Sequence, residues 1–287
     1  MALFVIKCDN TLSYFIFTFS LKSHMKYALV DNIKSEATKG LSGNCPICES
    51  RLIARCGEIK RHHWAHKSTR NCDPWWENET DWHRKWKDYF PKDWQEVIHK
   101  AVDGEKHIAD VRTPQNLVIE FQHSRIDPEE RRSREKFYND MIWMVDGTRL
   151  KRDFPRFLKG MQNLRKTKKP GLYFVDFPYK CFPSTWLNSS APIIFDFLGT
   201  DSVEAPSDLR TILYCLYPQI EDGTRILACI SREAFIEEIK KGLMFKKQHK
   251  TENESTNRNM SINSMKRGEP THYYDPRKNR IVKKWRF

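Results

Sequence analysis

Two acidic residues ten positions apart, in His107-Ile-Ala-Asp110-Val and Leu117-Val-Ile-Glu120-Phe-Gln122, are the side chains best placed to do chemistry in this sequence. β-Branched residues flank Thr113-Pro114-Gln115-Asn116, where Pro and Asn supply a turn, so the segment reads as a hairpin. A turn centred between Pro114 and Gln115 brings Asp110 within one residue of lying opposite Glu120. Carboxylates that close repel one another and lose hydration, which is costly unless a cation sits between them. Hard oxygen ligands suit Mg²⁺ or Mn²⁺. The competing arrangement is a pair of solvent-facing carboxylates on an edge hairpin.

A third acid points the same way. Across residues 76–90, Trp82, Trp86, Tyr89 and Phe90 share one helical face, and at about 100° per residue Glu79 projects into the middle of it. An inward carboxylate needs an interior partner, and a metal held by Asp110 and Glu120 would provide one. His83, one turn on, borders the same face, either as a half-exposed histidine packed on tryptophan or as a catalytic group. Downstream, Asp127-Pro128-Glu129-Glu130 has an N-cap residue, Pro at the first helical position and acids in the first turn, which predicts a helix to about Asn139. Arg134 and Tyr138 share a face of that helix, to contact a phosphate or pack on the sheet. Met141-Ile-Trp-Met-Val145 reads as a strand buried on both faces, and Gln95–Val102 as a strand that turns through Asp103-Gly104 into the Asp110 strand. The predicted order is helix, three strands in a meander, helix, strand.

That order, with Asp on the second strand and Glu-x-Gln on the third, resembles the restriction-endonuclease-like PD-(D/E)xK nuclease core. More narrowly, Cys45-Pro-Ile-Cys48, His63-Trp-Ala-His66, Glu79-x-x-x-His83, Ala109-Asp110-Val111, Glu120-Phe-Gln122-His-Ser124, Arg134-x-x-x-Tyr138 and Ile142-Trp143 together resemble the competence protein CoiA-like family, over roughly residues 25 to 150. The resemblance implies an α+β fold with an αβββαβ core. It also implies that Glu79, Asp110, Glu120 and Gln122 form the catalytic site, with His83, Ser124, Arg134 and Tyr138 in support. Gln122 stands where many such nucleases carry lysine, although Glu-x-Gln is the usual form in the CoiA-like group. An amide can orient a water or a phosphate but brings no positive charge to a transition state.

Cysteine usage points to a second metal. Cys45-x-x-Cys48 followed by His63-x-x-His66 is the paired spacing by which two short loops present four ligands to Zn²⁺. Two residues between histidines is shorter than the usual three to five, so Cys56, His62 and Cys72 are alternates for any one of the four. Cys8, Cys181, Cys215 and Cys229 sit singly in apolar runs, as reduced core cysteines do, which implies a cytoplasmic location.

The 287 residues divide into a 1–24 extension, a zinc-bearing module at 25–72, the nuclease core at 73–150, an α/β region with four apolar strands at 151–243 and a basic tail at 244–287. The 151–243 strands either complete the nuclease sheet or form a separate docking domain. Leu12–Leu21 is apolar but shorter than the ~20 residues a membrane span requires, and no small-residue cleavage site follows it. Because the resemblance begins at Met25, the extension reads as an over-long reading frame, the competing view being a weak membrane or partner contact. Residues 245–287 carry a net +8 of the chain's +13 and are poor in apolar residues, which predicts a disordered tail. Its end, Lys283-Lys284-Trp285-Arg286-Phe287, offers charge and aromatic stacking to DNA. The sequence therefore predicts a cytoplasmic bacterial or phage-encoded Mg²⁺-dependent deoxyribonuclease acting in DNA uptake, recombination or phage-related DNA processing, alongside proteins of those pathways. The contrasting expectation is a DNA-binding accessory protein that keeps the fold without cleaving.

Overall fold

The computed structural model describes residues 25–243, apart from 59–60, 68–71, 76, 78, 204, 206 and 219–223, together with the backbone of 271–275 and 280–284. Five short strands come first: β1 (Tyr27–Val30), β2 (Ile33–Glu36), β3 (Ser42–Asn44), β4 (Arg51–Arg55) and β5 (His63–His66). They form an antiparallel sheet in the order β2-β1-β3-β4-β5 around buried Leu52 and Trp64. The β1–β2 hairpin turns through Asp31 and Asn32, both at positive φ, which Asp and Asn tolerate best among residues with a side chain.

Then follow α1 (Asp81–Asp88), β6 (Gln95–Lys100), β7 (Lys106–Arg112), β8 (Val118–Gln122), α2 (Pro128–Tyr138) and β9 (Met141–Asp146), the predicted order of helix, meander, helix and strand. α2 is capped by the Asp127 side chain and has Pro128 in its first turn, as its sequence dictates. β8 and β9 are parallel, and Glu120 pairs with Trp143. Beyond β9 come α3 (Asp153–Met161), β10 (Arg165–Lys166), β11 (Leu172–Val175), α4 (Pro178–Cys181), β12 (Ile193–Asp196), β13 (Ile212–Leu216), β14 (Arg225–Ser231) and α5 (Arg232–Lys240). These strands continue the same sheet, which has nine strands in the order β10-β11-β14-β13-β12-β9-β8-β7-β6. The 151–243 region is thus joined to the core through the parallel β9–β12 pair and is not a separate docking domain.

Alternation along the central strands sorts the core into two layers. Ile142, Met144, Ile194 and Leu213 face α1 and α5 on one side, whereas Trp143, Val145, Ile193 and Phe195 pack with Tyr138 and Phe157 on the other. Asp176 follows β11 and pairs with Arg165. Asp196 ends the interior strand β12 and is 0% exposed. Its carboxylate accepts the indole N–H groups of Trp82 and Trp86 at 2.9 Å each and the backbone N–H groups of Leu198 and Gly199, and pairs with Arg232 of α5. One acid thereby ties both covering helices to the middle of the sheet.

A second compact unit spans 247–287, and in it β15 (Thr271–Asp275) and β16 (Arg280–Lys284) pair as an antiparallel hairpin. Aromatic and β-branched residues in Tyr273-Tyr274 and Ile281-Val282 favour these strands, and the stretch to about Pro270 expected to be disordered lies outside the described residues. Lys283 and Lys284 lie in β16, while Trp285 and Arg286, like the 1–24 extension, fall outside the described residues. No described helix is long and apolar enough to cross a membrane.

Replacing Asp196 by Ala should cost about 3–5 kcal/mol, the range for breaking a buried charged pair, because Arg232 and two indole donors lose their acceptor. Urea unfolding of the wild type and Asp196→Ala measures it. A loss under ~1 kcal/mol would mean that the two helices are held by packing alone.

Candidate functional site

Four ligand-type side chains converge in the N-terminal module. Cys45 and Cys48 lie in the turn between β3 and β4, where Glu49 donates to the Cys45 carbonyl at 2.9 Å and takes a positive φ of 60°. His66 ends β5, and Cys72 follows in the next loop. The Cys45 and Cys72 sulfurs are 3.5 Å apart, and His66 Nε2 is 3.4 Å from the Cys48 sulfur and 3.6 Å from that of Cys72. Zn–S and Zn–N bonds of about 2.3 and 2.0 Å imply tetrahedral edges of roughly 3.5–3.8 Å, which these three separations match, and all four ligand atoms lie within 4.8 Å of one another. Hydrogen bonding from Cys72, with backbone donors of Cys48 and Ile47, lowers the Cys45 thiol to about 5, the thiolate state a ligand requires.

His63 is not part of the group. Both histidines lie within one strand, and residues three apart on a strand point to opposite faces. His63 Nδ1 instead donates to the Arg61 carbonyl at 2.8 Å, and Cys72 supplies the fourth ligand. Cys56 lies against the Ala37 carbonyl, and His62 is exposed.

The carboxylates expected to hold Mg²⁺ occupy a cleft of about 40 Å³ between α1 and the β6–β8 meander, enough to admit an ion or a water. Val111 pairs with Ile119 across β7 and β8, which sets Asp110 and Glu120 opposite one another. Each carboxylate accepts a backbone N–H from the other strand: Asp110 N–H donates to Glu120 at 3.2 Å, and Phe121 N–H to Asp110 at 3.0 Å. Burial and the Asp110 charge push Glu120 up to about 8, against the pull of Arg134, which donates to it at 3.0 Å. Burial likewise raises Asp110, against Lys87. A carboxylate pair in this condition suits a hard cation.

Glu79 departs from its expected place. It precedes α1, because Thr80 forms a capping box with His83 and starts the helix there. Its carboxylate is buried, but it turns to Arg84 and, at 2.5 Å, to Lys87. Against the cost of burial these cations hold Glu79 down at about 2. Among the described residues, Glu79, Asp110 and Glu120 do not converge as a ligand trio; the Cys45, Cys48, His66 and Cys72 set is the group that does.

Lys87 is the residue that sequence reasoning missed. It is 3% exposed, and its ammonium lies 2.9 Å from Glu96 and 3.8 Å from Asp110 as well as against Glu79. Although burial opposes the charge, Glu96, Glu79 and Asp110 raise its pKa. The signal was there: His83 and Lys87 stand four residues, about one helical turn, apart on α1, and both are buried. Glu96 was missed too. It sits at a positive φ of 44° within β6, a strained conformation for a residue with a side chain. It also accepts the backbone N–H groups of Lys26 and Tyr27 in the N-terminal module at 3.1 and 3.0 Å.

The remaining predicted residues have structural partners. Gln122 donates to Glu77, and its buried Oε1 has no hydrogen-bond partner. Ser124 donates to the same Glu77. Arg134 binds Glu120, Glu130 and the Trp75 carbonyl, and Tyr138 packs against Trp75 and Phe137. His83 is fully inside rather than half-exposed. Its Nε2 donates to the Phe121 carbonyl at 2.8 Å while Nδ1 accepts from Thr80, so it pins α1 to β8.

Taken together, these features define a mixed α+β protein with an N-terminal Cys₃His cluster of zinc-ligand type. Residues 32–74 match the family model described as competence protein CoiA, N-terminal domain, which assigns this module to the competence protein CoiA family. Cys45, Cys48, His66 and Cys72 all lie within the matched segment. No curated protein and no solved structure matches the chain.

Purified protein should contain about one zinc per chain. Cys72→Ser should lose it as completely as Cys45→Ser, whereas His63→Ala should retain it. Elemental analysis of the three variants decides, and zinc loss in His63→Ala would restore the His-x-x-His ligand set. Burial lowers His83 to about 4 from an ordinary 6.5, so the unfolded chain binds more protons in that interval. Its contribution to stability is complete above pH ~6.5 and is lost as pH falls toward 4, on the order of 3 kcal/mol in all. The stability difference between pH 7 and 4 should shrink in His83→Gln, and an unchanged difference would mean that His83 takes up its proton as readily in the fold as in the unfolded chain.

Proposed function

We propose that this protein is a metal-dependent deoxyribonuclease of a competence-related system, with Asp110 and Glu120 as its metal-holding carboxylates. The observation that carries this reading is the pair itself: a buried Glu120 and a half-buried Asp110 in register on adjacent strands, Glu120 pushed up to about 8 by burial and by Asp110. A divalent cation bound there would activate water and stabilise charge on the scissile phosphate. The unpartnered Gln122 Oε1 can accept from the attacking water. Lys87 supplies the positive charge that Gln122 lacks, entering from α1 instead of from β8. Glu79 fixes that lysine and joins the metal shell only by exchanging its cations for the metal.

One observation favours a second reading. With Glu79 neutralised by Arg84 and Lys87, the cleft is partly self-compensated, as suits a platform that holds DNA without cutting it.

Incubation with circular and linear, single- and double-stranded DNA, with Mg²⁺, Mn²⁺ or EDTA, separates the two. Asp110→Ala and Glu120→Ala should each reduce metal-dependent cleavage at least 10³-fold, a loss of about 4 kcal/mol of transition-state stabilisation, at retained DNA affinity. Lys87→Met should lower the maximal rate more than affinity. Wild-type protein that binds DNA yet cuts none of these substrates would establish the platform.

A further inference from the structure

A cavity of about 310 Å³ lies beside the acidic cleft and is used by nothing described so far. It opens at the carboxyl ends of β8, β9 and β12, three neighbouring strands that run parallel, the position at which open sheets of this kind bind ligands. Val145 and Phe195 contribute apolar wall, and the exposed hydroxyl-bearing Ser184 lines the edge with four arginines, Arg125, Arg149, Arg152 and Arg156.

The charges do not cancel. Asp146 is consumed internally, by His123 at 2.8 Å and by the Thr148 hydroxyl and N–H. Asp153 pairs with Arg156 at 2.6 Å. No carboxylate lies within ion-pair distance of Arg125, Arg149 or Arg152 among the described residues, which leaves three guanidinium groups around one concave surface. Arg156 lines the cavity as well, its guanidinium shared with Asp153. Planar guanidinium forks match the oxygens of a phosphate, and the volume is at the lower end of ligand pockets, about 300–1,000 Å³.

The cavity also borders the cleft. His123, on its wall, is three residues beyond Glu120, about 10 Å along the chain at ~3.3 Å per residue. Ser124, also on its wall, donates to Glu77 of the cleft.

We infer that this cavity is a phosphate-binding subsite, which takes a phosphate of the nucleic acid whose backbone crosses the acidic cleft. The inference rests on the nuclease reading for its substrate class but requires no cleavage. A chain phosphodiester and a terminal phosphate present the same oxygens, and the test distinguishes them.

Full-length protein in EDTA is titrated with short single-stranded oligonucleotides bearing a 5′-phosphate or a 5′-hydroxyl, at several salt concentrations, with inorganic phosphate as competitor. The Arg149→Gln/Arg152→Gln double variant should bind at least tenfold more weakly. Its slope of log affinity against log salt should fall by about 0.7 for each phosphate that the two arginines neutralise in the wild type. Arg132→Gln, at an exposed position of α2, should match the wild type. Tighter binding of the 5′-phosphate form, competed by inorganic phosphate, assigns the subsite to strand ends, and equal binding of both forms assigns it to internal phosphodiesters. Unchanged affinity and slope in the double variant, or no binding by the wild type, overturns the proposal. A wild type that binds through these arginines and never cuts removes the nuclease reading alone, whereas one that cuts while the double variant binds normally removes the subsite alone.

Discussion

A buried ammonium organises this molecule. Lys87 is enclosed among the carboxylates of Glu79, Glu96 and Asp110, which come from the approach to α1, from β6 and from β7. An isolated ammonium at such depth would be neutral or absent, since desolvation outweighs any single ion pair. Three acids reverse the balance, and their own burial is tolerable because Lys87 faces all of them and Arg84 faces Glu79. The elements around the cleft are thereby committed to one arrangement: α1 cannot slide along the sheet without stranding a charge. Asp196 enforces the same register from the far end of that helix face through the two indoles.

The two candidate metal centres illustrate two ways of preparing for a cation. In the N-terminal module four ligand atoms already lie within 4.8 Å of one another, and Cys45 is poised as a thiolate. In the cleft the acids are close but partly occupied by protein cations, and Glu120 holds its proton up to about pH 8. The first centre resembles a structural clasp, closed on itself. A cation entering the second must displace a proton and compete with Lys87.

Much of this was legible in the residues, wherever a local rule determined the outcome. The Pro-Asn turn fixed the Asp110–Glu120 register, Cys-x-x-Cys marked the clasp, and cap and turn residues marked α2 and α5. Sequence reasoning failed where a boundary or a distant partner decided. The Thr80 cap moved Glu79 off the helix, and strand periodicity, invisible until β5 was known to be a strand, separated His63 from His66. Lys87 and Asp196 were passed over because charged residues are ordinarily exposed, and nothing near them in the chain names their partners. The nine-strand order depends on pairings such as Trp143 with Ile193, fifty residues apart, which no local pattern specifies.

The grip of Glu96 on the backbone of Lys26 and Tyr27 has an architectural consequence. It is made to main-chain N–H groups, so it is indifferent to which side chains occupy those two positions, and it fastens the small sheet to the meander whatever the surface composition. Lys26 strengthens the seam by reaching Gln95 at 2.9 Å. A fragment beginning after the cysteine–histidine cluster would strip Glu96, a counter-charge of Lys87, of its two backbone donors. The N-terminal sheet in this sense buttresses the strand that carries Glu96 into the cleft, and the smallest piece of the chain able to hold the cleft's geometry includes both.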